Sequence, residues 1–139
     1  MRILPILLLL TSLGACQSSS SQNESSSNST ADTEQTSTPE KGSMTVAQLP
    51  AFLEANPETI ILDVRTPEEI AEGKIEGAIE LDYRSPDFQQ KLQELDRDQT
   101  YVVYCMSGGR SGRTCKMMEV AGFSSYYNLE GGMNAYQQQ

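Results

Sequence analysis

Tyr101-Val102-Val103-Tyr104-Cys105-Met106-Ser107-Gly108-Gly109-Arg110-Ser111 is the stretch from which the fold can be read. Tyr101 to Tyr104 is an unbroken run of β-branched and aromatic side chains, the pattern of a strand covered on both faces. It stops at a cysteine. Two glycines then make a short loop, and Ser111 to Ala121 reads as a helix closed by Gly122. In an open α/β sheet, ligands bind beyond the carboxyl ends of the strands, where loops enter helices. A cysteine there meets loop N–H groups and the positive end of the helix dipole, and both favour an anion. Such surroundings lower a thiol pKa from about 8.5 to between roughly 3.5 and 7.5. Cys105 is thus a candidate nucleophile that needs no neighbouring base. The chain contains no histidine, which excludes Cys-His and Ser-His mechanisms built from its own residues.

Loop length sets what the site can hold. Cys105 and Arg110 are separated by four residues, and Gly108 and Gly109 are free to take backbone angles that a β-carbon forbids. Inward N–H groups in so short a loop enclose a small anion or one extra sulfur on the cysteine. One more residue would widen the cradle towards phosphate. The plainer alternative is a buried strand-end cysteine followed by a tight turn. The fixed offsets of Gly108, Arg110 and Ser111 before a helix favour the functional reading.

These residues, Cys105-x-x-Gly108-x-Arg110-Ser111 after a buried strand, resemble the active-site loop of rhodanese-like sulfurtransferases. The resemblance implies a persulfide on Cys105, with the N–H groups of Met106, Ser107, Gly108, Gly109, Arg110 and Ser111 holding its charge. The family's phosphatase relatives carry the longer loop. Other pieces match over about residues 44–136: Asp63-Val64-Arg65 with Glu69, Gly73-x-Ile75-x-Gly77-Ala78, Gly122-Phe123 and Leu129-x-Gly131-Gly132. Asp63, Arg65 and Glu69 read as scaffold that pins the helix after Val64. Lys74, Glu76 and Tyr136 depart from the family's usual histidine, proline and tryptophan. Met106 leaves the loop without the cation that many thiosulfate-using members place there. Arg110, with Arg113, would then have to meet a sulfonate, unless Arg110 turns away to brace the loop.

The remaining segments fit a parallel sheet. Thr45 to Gln48 forms a capping box ahead of a helix bearing Leu49, Phe52 and Leu53, with Pro50 delaying its start. Thr59 to Val64 is an apolar strand, and Thr66-Pro67-Glu68-Glu69 opens a short helix. Ala78 to Leu81 is a strand, Phe88, Leu92 and Leu95 share a helix face, and Ser125 to Leu129 is a last strand. Strands alternating with helices predict a single α/β domain, a small parallel sheet with helices on both faces. On the resemblance this is a rhodanese-like fold, over residues 44–139.

The N-terminal part differs in kind. Met1 to Ala15 is an apolar leader too short to span a bilayer, and Leu13-Gly14-Ala15-Cys16 resembles a bacterial lipoprotein signal in which Cys16 is acylated. Residues 16–43 are rich in Ser, Thr, Asn and Gln and read as a disordered, lipid-attached tether of roughly 25–30 Å average reach. The implied location is the outer face of a cell envelope, at the outer membrane if the cell is Gram-negative.

With 10 Lys and Arg against 19 Asp and Glu, the formal charge is −9, which argues against nucleic acid as a partner. Partners expected are a small sulfur donor, a thiol or cyanide acceptor, and the membrane through Cys16; no cofactor or metal is expected, and the domain is taken as a monomer. Cys115 shares a helical stripe with Met118 and Ala121, a core position, although pairing with Cys105 stays open. Two rivals remain: a Cys-based phosphatase or arsenate-reductase-like enzyme, and a tethered, non-catalytic binding module.

Overall fold

The computed structural model describes residues 41–139. The expected leader at residues 1–15, Cys16 with its expected lipid and most of the expected tether lie outside the described residues. The chain runs β1 (Lys41–Met44), a short 3-10 turn (Val46–Gln48), α1 (Leu49–Ala55), β2 (Ile60–Asp63), α2 (Pro67–Ala71) and β3 (Ile79–Glu80). It continues through α3 (Phe88–Glu94), β4 (Thr100–Tyr104), α4 (Gly109–Ala121), β5 (Ser125–Leu129) and α5 (Gly132–Tyr136). The five strands form one parallel sheet in the order β1-β5-β4-β2-β3. This is the small parallel α/β sheet foreseen above.

Period-two alternation along β4 divides the core. Tyr101, Val103 and Cys105 face one side with Phe88 and Leu92 of α3 and Cys115 and Met118 of α4. Val102 and Tyr104 face the other side, against Leu49 of α1 and Met133 of α5. Burial on both faces is why the strand reads as a continuous apolar run. Cys105 therefore lies on the α4 side of the sheet, while Tyr104 points away from it.

Three features differ from the expectations. β1 begins at Lys41, inside the stretch expected as tether. Its pattern is illegible because only Met44 is buried; backbone pairing with β5 makes it a strand. Helix α4 starts at Gly109, not Ser111: Gly108 takes φ +92° as its N-cap, so Ser111 is a first-turn residue and not the cap. The third is α5, a single short helix after Gly131, which takes φ +73°. Pro50 does delay α1, which follows a 3-10 turn closed by the Thr45–Gln48 capping box.

Candidate active site

The first layer is a rigid floor. Arg65, 1 % exposed, donates from Nε and Nη2 to the carboxylate of Asp63 at 3.0 and 2.7 Å. The same guanidinium donates to the carbonyls of Glu69 at 3.1 Å and Gly73 at 2.7 Å, so it ties β2 to the middle of α2 and to the turn that follows it. Tyr104 donates its hydroxyl to Asp63 at 2.5 Å and accepts the Ile75 N–H at 3.1 Å. Burial and the neighbouring Asp63 push the Tyr104 phenol well above its ordinary range. Asp63 and Arg65 thus pin the helix, as the sequence suggested, from the face opposite Cys105.

The second layer orients the loop. The Met133 N–H donates to the Cys105 carbonyl at 2.8 Å, and the Asn134 N–H donates to the Met106 carbonyl at 3.0 Å. With these carbonyls drawn towards α5, the following N–H groups are left for the sulfur. Gly132 makes this approach possible: it sits at φ +54°, and a β-carbon there would overlap the Cys105 carbonyl. The Met106 side chain packs half-buried on the α1/α5 side and takes no part in lining the sulfur.

The third layer is the sulfur's own shell. The Gly108 N–H donates to Cys105 Sγ at 3.2 Å, and Ser111 Oγ stands 3.6 Å away. Burial alone pushes the thiol up. The Ser111 N–H and hydroxyl, with the N–H groups of Ser107 and Gly108, outweigh it, so the net shift is downward. Of the six loop residues expected to hold charge, Ser107, Gly108 and Ser111 aim amides at the sulfur. Cys105 is only 1 % exposed. The exposed rim residues are Ser107 and Gly109, so a reagent approaches past them.

Arg110 has a partner. Its Nη1 and Nη2 donate to Glu69 Oε2 and Oε1 at 2.7 and 2.5 Å, a two-pronged pair across α4 and α2. The pairing holds the Glu69 carboxyl at about 2 and raises the Arg110 guanidinium, with a smaller contribution from Cys105. Of the two roles open from the sequence, this geometry fits the brace. Glu69 also accepts the Thr66 N–H at 3.0 Å, so one carboxylate caps α2 and anchors α4. Arg113 lies exposed on α4.

Cys115 stands in the core beneath α4, where burial pushes its thiol up to about 12. Both described cysteines are free. Sequence reasoning missed Asn128, whose Oδ1 accepts the Ser111 hydroxyl at 2.6 Å. Inside an apparent β-strand it gave no signal beyond being a polar residue next to Leu129.

Comparison with known proteins agrees with this architecture. The family model described as Rhodanese-like domain matches residues 45–139. The Bacillus subtilis (strain 168) protein YtwF, which carries a provisional sulfurtransferase name, is 40% identical over 94 residues, covering 68% of this chain and 88% of its own. A protein of Allochromatium vinosum named Sulfurtransferase is 34% identical over 79 residues, covering 57% of this chain and 72% of its own. The crystal structure of a rhodanese-like domain protein from Staphylococcus aureus superposes with a TM-score of 0.61 at 30% identity, covering 69% of this chain and 90% of that one. By a sequence match that takes in nearly all of the described residues, and by its fold, this chain belongs to the rhodanese-like domain family.

Proposed function

We propose that the protein is a sulfurtransferase that carries a sulfane sulfur on Cys105. The observation that carries this reading is the set of donors around a buried sulfur, the Gly108 N–H at 3.2 Å and the Ser111 hydroxyl at 3.6 Å, which favours the thiolate without a base. The Cys105 thiolate attacks the outer sulfur of a donor such as thiosulfate. A new S–S bond to the cysteine forms, the bond between the donor's two sulfurs breaks, and sulfite leaves with that electron pair. A thiolate or cyanide then attacks the outer sulfur of the persulfide, and the Cys105 thiolate leaves, restored. The N–H groups of Ser107, Gly108 and Ser111 hold negative charge at the cysteine throughout, as a preformed anion hole. Two-step transfer through a covalent intermediate gives ping-pong kinetics.

The short span from Cys105 to Arg110 favours a sulfur atom over a phosphate ester. Because Glu69 neutralises Arg110, thiosulfate gains little charge attraction at the rim, and compact donors of low charge fit better. Relatives named for sulfur transfer support the reading. The leader and Cys16 extend it: the mature chain is lipid-anchored on the outer face of the envelope, the domain held off the membrane by residues 17–40.

One experiment tests both parts: the full chain is isolated from a bacterial host, incubated with thiosulfate and weighed intact. The expected masses show an acylated N-terminus at Cys16 and a gain of one sulfur atom. Cys105→Ser abolishes the sulfur gain and Cys115→Ala keeps it. No gain with thiosulfate or an organic persulfide, together with hydrolysis of an aryl phosphate, would overturn the transfer reading in favour of a phosphatase. An unmodified Cys16 would remove the anchor.

A further inference from the structure

The Ser111 hydroxyl has more neighbours than protons. It lies 2.6 Å from Asn128 Oδ1 and 3.6 Å from Cys105 Sγ, yet a hydroxyl donates only one hydrogen at a time. Asn128 presents its carbonyl oxygen, which only accepts, and the sulfur is the second acceptor within reach, so the single Ser111 proton serves one of the two at a time. While the proton serves Asn128, a thiol can donate its own hydrogen to Ser111 Oγ, whereas a thiolate goes without the hydroxyl's hydrogen bond. For a thiolate to gain the Ser111 hydrogen the order reverses, because an anionic sulfur has no hydrogen to give.

Asn128 is built to allow the reversal. It pairs with Val103 across β4 and β5, on the face of the sheet that carries Cys105 and α4. Its amide packs over two glycines: Nδ2 lies 3.9 Å from where a β-carbon of Gly108 would stand and 3.5 Å from that of Gly112. Nδ2 has no hydrogen-bond partner among the described residues. The two ends of an amide are nearly the same shape, so a half-turn of the group costs little packing. After that turn Nδ2 donates to Ser111 Oγ, and the Ser111 proton is free for the sulfur.

We propose that Asn128 and Ser111 form a reversible hydrogen-bond relay that changes direction with the ionisation state of Cys105. With the thiol, the bonds run from Sγ–H to Ser111 Oγ and from the Ser111 hydroxyl to Asn128 Oδ1. With the thiolate, they run from Asn128 Nδ2–H to Ser111 Oγ and from the Ser111 hydroxyl to the sulfur. No proton passes along the relay; the thiol proton leaves to solvent and the hydroxyl and amide turn. Asn128 is a positioning residue, acting through Ser111, and its role rests on Cys105 being the working nucleophile proposed above. The charged groups near the sulfur are Arg110 of α4 and its partner Glu69 of α2, which the test leaves in place.

Asn128→Asp tests the relay, since a carboxylate only accepts and locks Ser111 in the direction that suits the thiol. The readout is the ultraviolet absorbance of the Cys105 thiolate against pH, taken on the full chain as the difference from Cys105→Ser. The midpoint should rise by about one pH unit or more. The added charge alone would also raise it, so the same change is made in Ser111→Ala. The relay requires the rise to fall there to roughly half or less, because only the through-space charge remains. An equal rise in both backgrounds, or no rise in either, overturns the proposal. Should Asn128→Asp not fold, nuclear magnetic resonance of the wild-type chain decides. The Asn128 side-chain amide signals should titrate with the Cys105 midpoint and stay fixed in Cys105→Ser; signals that do not move overturn the relay. Neither measurement contains a sulfur donor, so the relay and the transfer reaction fail separately.

Discussion

Cys105 and Cys115 are ten positions apart, are both buried, and ionise in opposite directions. Exposure is 1 % at Cys105 and 7 % at Cys115, so depth does not separate them. What separates them is the company of donors. Cys115, in the second turn of α4, faces apolar side chains and a helix whose amides are already bonded, and burial raises it to about 12. Cys105 precedes the same helix, where the first-turn amides have no internal partners, and those donors reverse the effect of burial. One helix therefore supplies an inert thiol and a reactive one, according to whether the sulfur meets its side or its start.

The largest expected effect bears on that contrast directly. At pH 7 a thiol near 12 is ionised to only on the order of 10⁻⁵, so Cys115 should resist iodoacetamide until the chain unfolds. Cys105 should be modified with a midpoint below that of a free thiol, and Cys105→Ser should remove the fast phase. Comparable rates at the two cysteines would break the comparison.

Gly132→Ala should give the next largest change. Left-handed backbone at a residue with a β-carbon costs about 1–3 kcal/mol, before the overlap with the Cys105 carbonyl is counted. Chemical denaturation should show the loss, and the Cys105 midpoint should move up towards its ordinary value as the loop amides turn. Gly109→Ala is the control. A β-carbon there meets nothing within 4 Å, so its effect should stay within about 0.5 kcal/mol. Equal effects at the two glycines would mean that α5 does not orient the loop.

Glu69→Gln should have the smallest effect, seen near neutrality and vanishing in acid. The Glu69 carboxyl is depressed to about 2, so its contribution is complete above the unfolded-state value of about 4.3. It is lost as the pH falls from there towards 2. The melting temperatures of wild type and Glu69→Gln should therefore differ near neutrality, approach one another as the pH falls through about 2, and converge below it. A gap at pH 2 as large as at neutrality would show that the Arg110 brace is not ionic.

Much of this site was legible before any coordinates. The apolar run into Cys105, the two glycines and the helix after them follow from local pattern alone, as do the capping box at Thr45 and the helix start at Thr66, while the Asp63–Arg65 cluster is singled out by the family resemblance. What local pattern missed or left open shares a cause. Lys41 to Met44 carries one buried side chain and becomes a strand only because β5 lies alongside. Ser111 resembles a helix cap, but Gly108 takes the cap position and leaves the Ser111 side chain for the sulfur and Asn128. Arg110 finds its partner in Glu69, 41 positions away, where no local rule reaches.

The chain's own order of residues determined that a cysteine would end a buried strand, that a short glycine loop would follow, and that no histidine would be present to activate the thiol. Only the folded arrangement decided which amides face the sulfur, that Arg110 spends its charge on Glu69, and that Asn128 stands behind Ser111. The physical reason is range. Burial pattern and backbone angle are written within a few neighbouring residues, whereas a hydrogen bond's partner depends on where β5, α2 and α5 come to rest against β4.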